Sequence, residues 1–527
     1  MSGLVGTLSL VRFVLRRDRI RLPVWLLAII GITYASAAAV ASTYDTPEEI
    51  ASYGNNVGSS PAGIAMGGPP VALDTQGGIL VYETALTAFV GVALLAAFTV
   101  IRHTRAEEEA GRTELLVSTV VGRHAGAAAA VTVALLASAV VGLGVSLSVL
   151  NAGMPGQAAW LYGAAVTAFG AVFAAVGAVS AQLMSHGRTA TGLVLAVLGG
   201  AFVLRAVGDV QESFLSWLSP MGWSQQVRVM DDNRWWPLGL SVLFVGLLAV
   251  LTAVLAVHRD VGSGIVPARP GPATAVGWLA SPLALAWRLQ RGTLVGWAVG
   301  MFLLGLMFGS FSREMEQMVA DNPTLEQYFE ATGGSITDTL FATSLLFNGL
   351  GAAAFAVASA LRVRHEENRA TLDLVMSSGV SRTRALLEPL LVTVLGAVVV
   401  LLVGGAGTAL ALVLTGGTAG DGLALLGYSL VYLPGVLALA AGAVALVGLV
   451  PRMTVLVWAW VGVTFVVGWL GSLLDLPSWV SGLSPFEHLP LVPVEDLAWL
   501  PLGALSLLGA ALLAAGLVGF RRRDITA

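Results

Sequence analysis

Long apolar runs separated by short polar segments dominate the 527-residue chain. A helix needs about 20 apolar residues to cross the hydrocarbon core of a bilayer. Twelve runs approach or exceed that length: 22–41, 79–101, 125–150, 158–183, 190–207 and 237–257, then 293–312, 340–361, 386–414, 424–449, 454–474 and 501–520. Two further stretches, 8–21 and 276–291, mix apolar residues with arginine and predict amphipathic helices lying on the membrane surface. The pattern predicts an all-α multi-span membrane protein made of two six-helix repeats.

The polar segments repeat as well. Glu107–Arg123 (EEEAGRTELLVSTVVGR) and Glu366–Arg382 (EENRATLDLVMSSGVSR) align without a gap at an offset of 259 residues. Glu107/Glu366, Glu108/Glu367, Leu115/Leu374, Ser118/Ser377, Val121/Val380 and Arg123/Arg382 are identical, and Glu114/Asp373 keeps its charge. Arg19, Leu22 and Trp25 match Arg291, Leu294 and Trp297. Arg188 matches Arg452, Ser219-Pro220 matches Ser484-Pro485, and Arg259-Asp260 matches Arg523-Asp524. The duplication therefore covers nearly the whole chain, as repeats 1–260 and 276–527 joined by a Gly/Pro-rich linker, 261–275. An even span number per repeat gives both one orientation, with a pseudo-twofold axis along the membrane normal.

Only 11% of residues are charged, against about a quarter in soluble chains. All 27 basic residues are arginine, and arginine marks the cytosolic side. With both termini inside, only Arg205, Arg228, Arg234 and Arg313 fall at the outer face. The expected location is the cytoplasmic membrane, multi-pass, with both termini cytosolic. Arg12–Tyr34 resembles a signal peptide, but its counterpart later in the chain argues for retention. Absent cysteine and scattered histidines exclude disulfides and give no metal site. Without lysine the chain carries no Walker A loop. This chain is expected to hold no cofactor, and any ATP and Mg2+ would sit on a partner ATPase. Nothing points to a nucleic-acid partner.

The repeated polar segments are the first candidates for function. They contribute Glu107, Glu108, Arg112, Glu114 and Arg123, and Glu366, Glu367, Arg369, Asp373 and Arg382. Glu108 and Arg112 are spaced to pair on one helix face, with Leu116, Val117, Val120 and Val121 behind. Glu366, Arg369, Leu374 and Val375 follow the same design. Such a helix suits a groove on a cytosolic partner; the alternative is a solvated loop that only sets topology. The second copy favours the partner.

Polar residues within spans are functional candidates by default. Arg205 and Asp209 form either a local ion pair or part of an outer gate with Ser219, Pro220, Ser484 and Pro485. Asn348, with Phe89, Phe98 and Phe355, either lines an apolar substrate path or packs helices together. No ladder of buried acids or histidines supports a proton-coupled carrier, and no polar catalytic cluster supports a membrane-embedded enzyme.

These segments resemble ATP-binding-cassette exporter permeases of the second type, and more narrowly the fused twelve-span actinobacterial permeases of polyketide-antibiotic (tetronasin-type) exporters. The shared features are the amphipathic N-terminal helix, the E-E-x-G-R-x-E-L-L element after the second span and the S-P element before the sixth. The second copy departs from the pattern, with Ala370-Thr371 in place of Gly111-Arg112. The resemblance implies two copies of a separately encoded ATPase whose movement is taken up by Glu107–Arg123 and Glu366–Arg382. It also implies re-entrant outer helices and outward movement of a hydrophobic or amphipathic, antibiotic-like molecule. A lipid or glycolipid exporter is the alternative.

Overall fold

The computed structural model describes residues 3–58, 60–113, 121–259, 262–266, 274, 277–310, 335–474 and 477–524. It divides into two compact units, 1–270 and 271–527. The first contains α1 (Thr7–Arg17), α2 (Arg21–Thr43), α3 (Pro47–Gly58), α4 (Pro61–Gly67), α5 (Gln76–His103), α6 (Arg105–Glu109), α7 (Ala125–Asn151), α8 (Gly156–Leu183), α9 (Gly187–Val210), α10 (Pro220–Gln225) and α11 (Pro237–Val257). The second contains α12 (Pro282–Ser310), α13 (Ile336–Ala360), α14 (Arg362–Asn368), α15 (Thr371–Ser377), α16 (Arg382–Leu414), α17 (Ala419–Ser429), α18 (Leu433–Leu449), α19 (Val455–Leu474) and α20 (Trp499–Arg522). There is no strand among the described residues.

Among those residues, eleven helices are long and apolar enough to cross a membrane. The remaining expected span falls on α19, whose described apolar run is the shorter Val455–Trp469. Side-chain caps set several helix starts: Thr75 accepts from the Gly78 amide, Ser335 from Asp338 and Ser381 from Arg384. Small residues let the helices approach. A Cβ on Gly142 would lie 2.4 Å from the Gly163 carbonyl oxygen, and one on Gly163 would lie 2.3 Å from that of Gly142. This crossing of α7 and α8 therefore accepts only glycine.

Each unit has its own core. In the first, Phe89 of α5 meets Phe169 of α8 at 5.2 Å, and Phe169 meets Phe173 at 4.9 Å. In the second, Tyr432 stacks on Phe486 at 5.9 Å beside α13 and α18. The last long helix of each unit is peripheral: the apolar windows of α11 and α20 are 6% and 17% buried, against 67% and 78% for those of α5 and α8.

One expectation changes. Residues 276–291 do not form a separate surface helix. A 3-10 turn at Gly277–Ala280 leads into α12, which runs unbroken through Arg291 to Ser310. In the first unit Asp18 ends α1 by turning its carboxylate inward to His103, 2.7 Å away, and no acid interrupts α12. The span expected at 424–449 lies within one continuous candidate span, Ala419–Leu449, which contains a 3-10 turn at Leu430–Tyr432. Pro434 has no amide hydrogen for the Leu430 carbonyl, so the regular α ladder lapses there.

Candidate functional site

At the arginine-rich end of the first unit, α5 runs into α6 and delivers Glu108 between two guanidiniums. Arg105 Nη1 lies 2.5 Å from its carboxylate, and Arg259, just beyond α11, donates from Nη1 and Nη2 at 2.7 and 2.8 Å. Arg123 completes the contact by donating to the carbonyls of Ala256 and Arg259, at 3.3 and 3.1 Å. Those carbonyls lie at the end of α11, where helical partners run out and a cation is favoured.

The second unit builds the same arrangement. Glu367 receives Arg364 at 2.9 Å and Arg523, beyond α20, through two nitrogens at 2.5 and 2.7 Å. Arg382 donates to the carbonyls of Arg521 and Arg523, at 3.2 and 2.8 Å. In both units, then, the acidic element is fastened to the peripheral last helix. Arg105 and Arg364 were not among the predicted residues, yet they share the 259-residue offset and extend the repeat upstream.

Glu108 and Arg259 are mostly buried, and Glu367 almost wholly so. Bidentate, charge-assisted bonds of this kind are strong. Removing one partner from a buried pair typically costs about 3 kcal/mol. A cavity of about 120 Å³ lies beside Glu108, Arg123 and Arg259.

The expected Glu108–Arg112 pair does not form. Gly111 adopts a left-handed backbone (φ 71°), ends the short helix and swings Arg112 back onto Glu107, with bonds of 2.6 and 2.9 Å. That bond holds the exposed Arg112 guanidinium above its ordinary pKa. Glu107 also meets Arg17 of α1 at 2.8 Å. In the second unit Ala370 makes the same left-handed turn (φ 56°). Thr371 replaces Arg112, and Glu366 pairs with Arg362 at 2.9 Å, whose Nη1 reaches the Leu289 carbonyl of α12 at 3.0 Å.

The second element is therefore a helix–turn–helix, α14 and α15, rather than one helix. Its buried anchor is Leu372, while Leu374 is 71% exposed. Arg369 and Asp373 are exposed and join no ion pair among the described residues. Glu114, Leu116, Val117 and Val120 lie outside the described residues.

At the opposite end of the first unit, Arg205 is fully buried and donates to the carbonyls of Ile64 and Met66, both at 3.2 Å. Asp209 lies 3.7 Å from it and accepts from Ser216 at 2.5 Å. Gln225 takes the Gly67 carbonyl at 2.7 Å. The last turn of α4 is thus held by side chains from α9 and α10. Ser219 donates to the Ala201 carbonyl at 2.6 Å and precedes Pro220 at the start of α10. Ser484 is buried without a side-chain partner among the described residues, ahead of the buried Pro485. Nearby, Tyr53 donates to Glu83; burial first, then the Glu83 charge, pushes its hydroxyl pKa well up.

Of the predicted path residues, Phe89 and Phe355 are buried within their own units and Phe98 is half-buried. Asn348 is also buried, its amide donating to the Leu401 carbonyl of α16 at 2.8 Å. That bond joins α13 to α16.

Comparison with known proteins places these features in a family. Residues 9–258 and 279–521 match the family described as "Multidrug efflux system permease Rv1217c, C-terminal domain", so one description fits each half. The chain is 38% identical, over 99% of its length and 96% of the relative's, to the "Multidrug efflux system permease protein Rv1217c" of Mycobacterium tuberculosis (strain ATCC 25618 / H37Rv). The chain belongs to the Rv1217c family of multidrug efflux permeases, multi-pass membrane proteins.

Proposed function

We propose that this permease works in an ATP-driven ABC exporter, with two copies of a separately encoded ATPase beneath it. Its cargo is a hydrophobic or amphipathic drug-like molecule, moved outward across the cytoplasmic membrane. Both termini and the arginine-rich end face the cytosol, as the arginine distribution argues. The chain has no lysine and hence no Walker A loop, so ATP and its Mg2+ belong to the partner.

One observation carries the reading: each half fastens an acidic element to the end of its last helix with two equivalent arginines, Arg123 and Arg259 in one, Arg382 and Arg523 in the other. Two equivalent attachment points suit a symmetric pair of ATPases. A force applied to each element passes through a buried ion pair to the last helix of its unit. The outer assembly around Arg205 supports a cap over the exit.

The test uses inside-out vesicles from the native host with drug uptake as readout. Uptake should require ATP and survive collapse of the proton gradient. Uptake that ignores ATP and stops with the gradient would refute the proposal.

A further inference from the structure

The segment from α1 into α2 carries arginines at 12, 16, 17, 19 and 21. Arg17 is engaged by Glu107. The one acid of the segment, Asp18, is 2% exposed and turned inward onto His103 and Arg102. Arg12, Arg16, Arg19 and Arg21 join no ion pair among the described residues. Val11 and Val14 hold α1 against the core. Leu8, Leu15 and Ile20 are exposed, and Leu8 and Leu15 lie on the flank between that buried face and Arg12 and Arg16. Beyond the turn, the exposed Val24 and Leu27 continue the apolar surface along α2.

We infer that this surface binds the headgroups of anionic phospholipids in the leaflet at its end of the protein. Three features point to lipid. The exposed Arg12, Arg16 and Arg19 stand beside exposed apolar side chains, which a soluble anion would leave in water. The apolar strip runs on into a membrane-spanning helix, so acyl chains and headgroup are met in register. The segment's own carboxylate, Asp18, is withdrawn into the protein. An arginine near such a surface contributes about 1 kcal/mol toward anionic lipid. The second unit offers only Arg288 and Arg291 in the corresponding stretch, so the site belongs to the first half. The inference does not depend on ATP coupling.

The test measures binding of fluorescently labelled phosphatidylglycerol to the full-length chain in neutral micelles. Phosphatidylcholine and inorganic phosphate serve as competitors. Phosphatidylglycerol should bind, weaken with salt and be displaced by neither. The variant R12Q/R16Q/R19Q/R21Q should lose affinity, by about fivefold per arginine at most. The lysine version of the same four positions should retain it, as should R288Q/R291Q, which reports on folding and on nonspecific charge. Equal binding of phosphatidylcholine, displacement by inorganic phosphate, or undiminished binding by the glutamine variant would each overturn the inference. Because no ATPase is present, failure here leaves the transport proposal standing, and the reverse.

Discussion

At the scale of single residues, Glu108 and Glu367 are distinguished by what surrounds them. Each carboxylate meets two arginines, one from its own helix and one more than 150 residues away. Replacing Glu367 by glutamine should destabilise the second unit by about 3 kcal/mol, seen as faster proteolysis near α20. Exposed Arg112, by contrast, should tolerate Arg112→Gln with no measurable loss of stability. Gly122 lies in a tight place: its amide donates to the Val5 carbonyl at 2.9 Å, and an added Cβ would fall 2.3 Å from the Gly3 oxygen. Gly122→Ala should therefore cost about 1–3 kcal/mol and speed amide exchange at Gly122 and His124. Arg205→Ala should release the α4 turn, leave Asp209 unpaired in the interior and expose 47–67 to protease. The acidic residues themselves were legible from the repeat. Their partners were not, because helical spacing reveals pairs three or four residues apart and these pairs span about half a repeat.

At the scale of elements, the apolar runs located the long helices well, since twenty consecutive apolar residues leave little choice. The misses occurred where one residue redirects the backbone. Asp18 separates α1 from α2, while nothing comparable interrupts α12. The repeated acidic segment was expected as a single helix, but the left-handed turns at Gly111 and Ala370 divide it. Leu372 anchors the second copy and Leu374 projects from it. On the proposed function, Leu374→Asp should reduce ATPase association at least tenfold in a binding titration without changing the thermal stability of the permease. Unchanged affinity would remove α15 from the docking surface.

At the scale of the whole molecule, two units of the same family type share one mode of attachment yet differ in its surroundings. The first element is tied also to α1 through Arg17, and to the start of α9 through Glu109, which accepts from the Gly187 amide at 3.0 Å. The second reaches α12 through Arg362. Equivalent anchors with unequal supports explain how the second copy keeps its Glu–Arg pair after losing Gly111-Arg112. On the proposed function, these anchors carry movement from the ATPase to the last helix of each half. The most direct test is drug transport and ATP hydrolysis by the reconstituted complex carrying E108Q, E367Q or both. Transport should fall at least tenfold in the double variant while ATPase binding and hydrolysis persist. Full transport by a correctly incorporated double variant would show that the anchors do not transmit the movement.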